Sequence, residues 1–351
     1  MEIKIHPSLR TVEWKDNAVV MIDQTRLPNE LVYVKYTDYK DVADAIRNLV
    51  VRGAPAIGVS GAFGLSLAAL QSTAMDKEDL IKDLEDAKKI LFETRPTAIN
   101  LAWGLERIMN VAKLGNTISE IKDSVVKEAQ KMAEEDIEIN MRMGKNGSSL
   151  FDDNDTIMTH CNAGALATVA YGTALGVIRA TKESGKKIKV IATETRPVMQ
   201  GSRLTAFELK HDGIDVSLIP DTAVGYSMAN GLVSKVIVGA DRILRTGHVY
   251  NKIGTYQVAL MAKQHNIPFY VAAPLSTFDM KSTTKEVVIE QRKASEVTGV
   301  AGKKTAPDDI NVINPAFDMT PPELITGIIT EAGVAKPPFE ESIKKLFEPK
   351  L

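Results

Sequence analysis

The chain has a single cysteine, Cys161, among 351 residues. One thiol excludes an internal disulfide framework and fits a reducing, cytoplasmic setting. Neither sign of charge is in excess, since 43 Lys+Arg face 45 Asp+Glu for a net charge of −2. Nucleic-acid binders usually carry a basic surplus, so no nucleic-acid partner is expected. No uninterrupted apolar stretch reads as a membrane span, and no membrane partner is expected. The opening Met1-Glu-Ile-Lys-Ile-His6 has no long apolar core, so it does not read as a secretory signal. Low-complexity tracts and solenoid-length repeats are missing. So are a Gly-x-Gly-x-x-Gly run after a strand, a Walker lysine motif and the His/Cys spacings of a zinc site. No cofactor or metal is therefore expected. What remains is a composition ordinary for a globular enzyme, 44% hydrophobic and 25% charged.

The chain is long enough for two domains. The first part opens with strands. Thr11–Trp14 and Ala18–Ile22 flank a hairpin turn at Lys15-Asp-Asn17, and Glu30–Tyr36 alternates as a third strand. Helices follow. Thr37-Asp38 caps one whose apolar face is Val42, Ile46, Leu49 and Val50, ending near Arg52-Gly53. Pro55 suits the first turn of the next. Further helices fit Lys77–Phe92 and Thr97–Ala112. Thr117-Ile-Ser-Glu120 is a capping box opening a long helix, which Gly144-Lys-Asn-Gly147 should end. The expected domains are thus 1–147, a small antiparallel sheet plus helices, and 148–351.

The second part alternates strand and helix. Short apolar strands are expected at Thr156–His160, Ile188–Thr193, Val216–Pro220, Lys235–Gly239 and Pro268–Ala273. That alternation specifies an α/β domain with a parallel sheet and right-handed crossovers. Cys161, Glu194 with Arg196, Asp221 and Asp241 each follow a strand, and ligands bind at that edge of such sheets.

Each candidate also has a bland reading. Cys161 is a small buried hydrophobe or a thiolate stabilised at the start of a Gly/Ala-rich helical stretch. His160 points to the opposite face and reads as structural. Asp241 is a helix cap or partner of Arg242, or else a desolvated general acid. Asn251-Lys252-Ile-Gly254 opens a helix as an anion cradle, or is a solvated lysine beside an N-cap. Arg52-Gly53-Ala54-Pro55 and Thr94-Arg95-Pro96-Thr97 put arginines at helix boundaries, where they either fork an anion or form turns. Glu-Thr-Arg-Pro occurs twice, at 93–96 and 194–197, with coincidence as its simplest account. These residues alone reach as far as an α/β enzyme acting on a small phosphorylated substrate.

The ordered strings Arg52-Gly-Ala-Pro-Ala-Ile-Gly58, Thr94-Arg-Pro-Thr97, Cys161-Asn-Ala-Gly164, Glu194-Thr-Arg-Pro197 and Gln200-Gly-Ser-Arg-Leu-Thr-Ala206 go further. With Val238-Gly-Ala-Asp-Arg242, Asn251-Lys-Ile-Gly-Thr255 and Asn314-Pro-Ala-Phe-Asp318, the set resembles the methylthioribose-1-phosphate isomerase family from about Val12 to Val334. Ser202 is a departure where many relatives would carry alanine. The resemblance implies a Rossmann-like second domain, a homodimer, no cofactor and an aldose–ketose isomerase of methionine salvage. It implies Cys161 and Asp241 as the catalytic pair. It implies Arg52, Gly53, Ala54, Arg95, Gln200, Asn251 and Lys252 as substrate-binding residues. Isomerases of 5-deoxyribose 1-phosphate or ribose 1,5-bisphosphate are close alternatives. The regulatory α, β and δ subunits of translation initiation factor 2B look similar in fold and form the non-enzymatic alternative.

Overall fold

A computed structural model describes residues 9–300 and 302–348. Met1–His6, read above as no secretory signal, lies outside the described residues. The chain forms two compact units, one of Met1–Met141 with Gly164–Gly172 and one of Arg142–Ala163 with Thr173–Leu351. This division differs from the expected 147/148 boundary: it falls inside a helix, and a short later segment joins the first unit.

In the first unit, β1 (Val12–Lys15), β2 (Ala18–Ile22) and β3 (Tyr33–Tyr36) form an antiparallel sheet in that order. Asp16 and Asn17, with φ of 51° and 52°, make the two-residue hairpin turn whose twist matches its strands. Five helices follow: α1 (Tyr39–Arg47), α2 (Ala54–Gln71), α3 (Lys77–Phe92), α4 (Ile99–Leu114) and α5 (Ile118–Ser148). Asp38 caps α1 by accepting from Lys40 N at 2.8 Å. That helix stops at Arg47, earlier than expected, because Leu49 takes a left-handed φ of 60°. The capping box of α5 forms as read, with Glu120 N donating to Thr117 Oγ1 and Thr117 N to Glu120 Oε2, both at 3.2 Å. Gly144 and Gly147 do not end α5. A Cβ at Gly147 would come within 2.7 Å of Val177, so the bare backbone packs where a side chain could not, and packing outweighs weak helix propensity. Helix α2 is apolar all round and long enough by composition to cross a membrane, contrary to the reading above; 78% of it is buried, as a core helix is.

The second unit is built on β4 (Thr156–Thr159), β5 (Lys189–Thr193), β6 (Asp215–Ile219), β7 (Lys235–Val238), β8 (Arg242–Leu244), β9 (Val249–Lys252), β10 (Phe269–Ala272), β11 (Phe278–Asp279), β12 (Gly299–Val300), β13 (Lys303–Lys304), β14 (Phe317–Thr320), β15 (Gly327–Thr330) and β16 (Gly333–Ala335). Its helices are α6 (Ala174–Glu183), α7 (Ala206–His211), α8 (Val224–Ala229), α9 (Thr255–Gln264), α10 (Ser295–Thr298) and α11 (Phe339–Leu346). The main sheet runs β16-β15-β10-β7-β4-β5-β6, parallel except for β16. All five expected strands lie in it, within a residue of their expected ends. A second sheet, β11-β8-β9-β14, follows no simple strand–helix alternation. Val236, Val238, Phe269, Val271 and Ile328 are buried at the centre, as strands covered on both faces require.

Strand β5 leads into a π-helical turn, Gly201–Thr205, which abuts its own strand. A Cβ on Gly201 would stand 1.7 Å from Thr193 O. The variant Gly201→Ala is therefore expected to lose about 3 kcal/mol of unfolding free energy in urea, or not to fold. A loss below about 1 kcal/mol would contradict this packing.

Candidate active site

From β4 the chain adds β5 and β6 on one side, then crosses to the other side of β4 to place β7. Strands β4 and β7 pair directly, with Ile157 opposite Lys235 and Met158 opposite Val236. Their carboxyl ends flank the point where the winding reverses, the place where open α/β sheets bind ligands. Cys161 follows β4 and Asp241 follows β7. The two turns are pressed together, since a Cβ on Gly239 would lie 2.7 Å from Ala163 Cβ.

Cys161 is half-buried with a left-handed φ of 65°. A non-glycine residue keeps that conformation only where its surroundings over-determine it. Here the Cys161 N–H donates to Thr195 Oγ1 at 2.9 Å, and Thr205 Oγ1 donates to the Cys161 carbonyl at 2.5 Å. The next residue is fixed as well. Asn162 Nδ2 donates to Thr205 Oγ1 at 3.2 Å and to Glu208 Oε1 at 2.8 Å. Glu208 is fully buried and paired with Arg179, which also meets Asp212. A buried carboxylate needs such a partner. The expected helix at Cys161 is absent. After Ala163 the chain joins the first unit until Gly172, and α6 starts only at Ala174. Thr195 and Thr205, which sequence reading passed over, do the holding instead.

Asp241 opens a β-hairpin of β8 and β9, and its N–H donates to Tyr250 O at 2.9 Å. The hairpin sets Asp241 beside the end of β9, where Asn251 and Lys252 lie. Arg242 turns to Asp279 at 3.5 Å. Asn251 is buried and donates from Nδ2 to Thr255 Oγ1 at 3.0 Å. Lys252 Nζ stands 4.9 Å from the centre of the Phe317 ring. The anion cradle expected at residues 251–254 is corrected: Asn251 and Lys252 end a strand, and α9 begins at Thr255. Its first N–H groups are taken by the chain's own Asp318, which accepts from Gly254 N at 2.7 Å and Tyr256 N at 3.1 Å. A carboxylate suits a helix N-terminus as well as a phosphate does.

Gln200 immediately precedes the π-helical turn. Its Oε1 is buried without a hydrogen-bond partner among the described residues. An orphaned acceptor of this kind marks a place for an incoming donor. His160 is structural in contact: Nδ1 meets Thr193 Oγ1 at 2.7 Å and Nε2 meets Ile253 O at 2.9 Å. Burial holds its imidazole below the ordinary value, which favours the neutral ring. Asp221 accepts from Thr195 N and Arg196 N, fixing the turn after β5.

The remaining candidates belong to the first unit. Gly53 is the N-cap of α2 with φ 95°, followed by Ala54 and Pro55 in the first turn, so Arg52 precedes a helix N-terminus. Arg95 sits in the turn between α3 and α4, its carbonyl accepting from Ala98 N at 3.0 Å. The two Glu-Thr-Arg-Pro strings therefore occupy unrelated settings, one joining helices and one following a strand.

Residues 50–337 match the model of the Initiation factor 2 subunit family. The chain belongs to that family. It is 55% identical over 339 residues to a methylthioribose-1-phosphate isomerase of Thermosipho africanus, covering 96% of this chain and 98% of the relative. The crystal structure of 5-methylthioribose 1-phosphate isomerase from Pyrococcus horikoshii OT3 is similar at TM-score 0.92 and 47% identity, covering 99% of both chains. An A. fulgidus structure described as translation initiation factor 2B, subunit delta, is similar at TM-score 0.88 and 51% identity, covering 97% of this chain and 99% of that one.

Burial raises the Asp318 carboxyl to about 6, against the pull of the Gly254 and Tyr256 N–H groups and Lys252. An acid with a raised folded value binds its proton more tightly folded than unfolded, so its ionisation removes stability as pH rises. Wild-type protein is expected to lose stability relative to Asp318→Asn between about pH 4 and pH 7, measured by thermal unfolding at matched ionic strength. The opposite slope would contradict the burial of an ionised Asp318.

Proposed function

We propose that this chain is an aldose–ketose isomerase converting 5-methylthioribose 1-phosphate to 5-methylthioribulose 1-phosphate in methionine salvage, with Asp241 and Cys161 as its reacting pair. The observation that carries the assignment of the pair is their position on adjacent turns at the winding reversal of the sheet, β4 against β7. The names of the relatives above support the substrate. Gln200, Asn251, Lys252, Arg52, Gly53, Ala54 and Arg95, which the resemblance implies, are the residues proposed to bind it.

The substrate explains the residue types. Phosphate on the anomeric oxygen blocks ring opening to a free aldehyde. A general acid must protonate the ring oxygen while the bond from C1 to that oxygen breaks, and Asp241 is assigned that step. The electrons then move by one of two routes. A Cys161 thiolate removes the C2 proton and returns it to C1 through an enol phosphate. Alternatively hydride shifts from C2 to C1, and Cys161 stabilises the developing positive charge. In both, the C2 hydroxyl proton is released as the ketone forms and restores the acid. Deuterium from solvent at C1 marks the first route; unlabelled product fits the hydride shift and also return of the same proton before it exchanges. Phosphate held by arginine, lysine and backbone N–H groups aligns the ring for either.

The second reading is a regulatory subunit of translation initiation factor 2B, favoured by the description of the A. fulgidus structure. The two readings separate on turnover. Purified protein should convert 5-methylthioribose 1-phosphate faster than 5-deoxyribose 1-phosphate or ribose 1,5-bisphosphate. Cys161→Ser and Asp241→Asn should each stay folded and lose at least about 100-fold in kcat. Near-normal activity in either folded variant would remove that residue from the pair. Folded wild-type protein inactive on all three sugars would favour the regulatory reading.

A further inference from the structure

One peptide unit joins the two halves of the second-unit site. Ile253–Gly254 follows directly on Asn251 and Lys252. Its carbonyl accepts from His160 at 2.9 Å, and its N–H donates to Asp318 Oδ2 at 2.7 Å. Both polar ends of this peptide are therefore gripped, by side chains from the turn after β4 and from β14. His160 follows β4 and immediately precedes Cys161. Asp318 lies in β14, opposite Asn251 in the register, with Phe317 opposite Lys252. Ile253 N also donates to Ala316 O at 3.1 Å. Gly254 takes φ 99°, and a Cβ there would lie 3.0 Å from His160 Cε1, so the ring packs directly on the turn.

The grip continues to the thiol. A carbonyl only accepts, so the His160 proton is on Nε2, and Nδ1 accepts from Thr193 Oγ1. Thr193 Oγ1 lies 3.2 Å from Thr195 Oγ1, the atom that accepts the Cys161 N–H. A continuous chain of hydrogen bonds thus runs from the peptide after Lys252 to the backbone of Cys161.

We infer that His160 and Asp318 are positioning residues that clamp the Ile253–Gly254 peptide and hold the Asn251/Lys252 strand end in register with the Cys161 turn. The inference rests on the isomerase reading of this site. Among the described residues, the charged group facing Asp318 from β9 is Lys252. From α9 it meets the Tyr256 N–H, and from β4 the neutral His160 lies across the clamped peptide. One step out, the charge of Lys252 acts on Glu296 and that of Asp221 on His160. Below about pH 6 Asp318 takes up a proton, accepts more weakly from the two N–H groups, and the clamp loosens. An ionised Asp318 costs stability relative to its acid form, so a positioning role and a purely structural one separate in the same variant.

The experiment measures kcat, KM and Tm for wild type, Asp318→Asn, Asp318→Glu and His160→Gln on 5-methylthioribose 1-phosphate from pH 5 to 8. At pH 8, Asp318→Asn should keep or raise its Tm and lose about ten- to a hundredfold in kcat/KM. Asp318→Glu should recover part of that loss. The ratio of wild type to Asp318→Asn, in which titration of the substrate phosphate cancels, should fall toward one as pH drops through 6. His160→Gln should lower kcat/KM with its KM raised. If Asp318→Asn fails to fold, or loses Tm with unchanged kcat/KM, Asp318 is structural alone and the inference is overturned. Wild type inactive on every sugar overturns the isomerase reading instead. The clamp is then read by amide hydrogen exchange in Asp318→Asn at pH 8. Protection lost at Gly254 but kept in β4 and β5 upholds it, and protection kept at Gly254 overturns it.

Discussion

The left-handed backbone at Cys161 is the constraint around which the second unit is arranged. A cysteine does not hold φ 65° by its own preference. Thr195, just past β5, accepts its N–H, and the Thr205 hydroxyl, from the π-helical turn, donates to its carbonyl. The π turn in turn exists because Gly201 lets the backbone press onto Thr193. Single extra-residue turns of this kind inside helices often occur at functional sites. The same arrangement leaves Gln200 with a buried acceptor aimed at nothing among the described residues.

Charge is placed sparingly beneath these turns. Arg179 and Glu208 are buried, and Arg179 pairs with both Glu208 and the half-buried Asp212. Replacing such a cluster with apolar side chains is often neutral for stability, so its value here is better located in what it orients. Glu208 orients Asn162, and Asn162 follows the thiol. Asp318 follows the same pattern: an expensive ionised group whose contacts fix the backbone beside Asn251 and Lys252. Around the thiol and Asp241, then, local stability is traded for geometry, as expected where a site must be preorganised.

Local rules made some of this legible in the sequence. Asp38, the Thr117/Glu120 box and the Asp16-Asn17 turn are short-range chemistry, and each forms as read. Four of the five strands were readable as short apolar runs covered on both faces, whereas β6 lies at the sheet edge and is largely exposed, contrary to that expectation. What was not readable depends on distant partners. Strand β9 pairs with the distant β14, so Asn251 and Lys252 passed for a helix start. Cys161 passed for one too, because Gly- and Ala-rich sequence after a strand usually opens a helix; here that segment leaves for the other unit. Thr195 and Thr205 fall inside quoted strings, but nothing local marked this role, since a threonine that holds a backbone looks like any other threonine. His160 was rightly set apart from the thiol as a side chain, but the chain of hydroxyls linking it back to the Cys161 N–H has no signature in spacing.

The central claim is that the turns after β4 and β7 form the reacting end of a sugar-phosphate site. It is tested most directly by a crystal structure of Cys161→Ser soaked with 5-methylthioribose 1-phosphate. The account predicts the ring lying between Asp241 and residue 161, with Gln200 Oε1 accepting from a sugar hydroxyl. A sugar phosphate bound away from the carboxyl ends of β4 and β7 would contradict it.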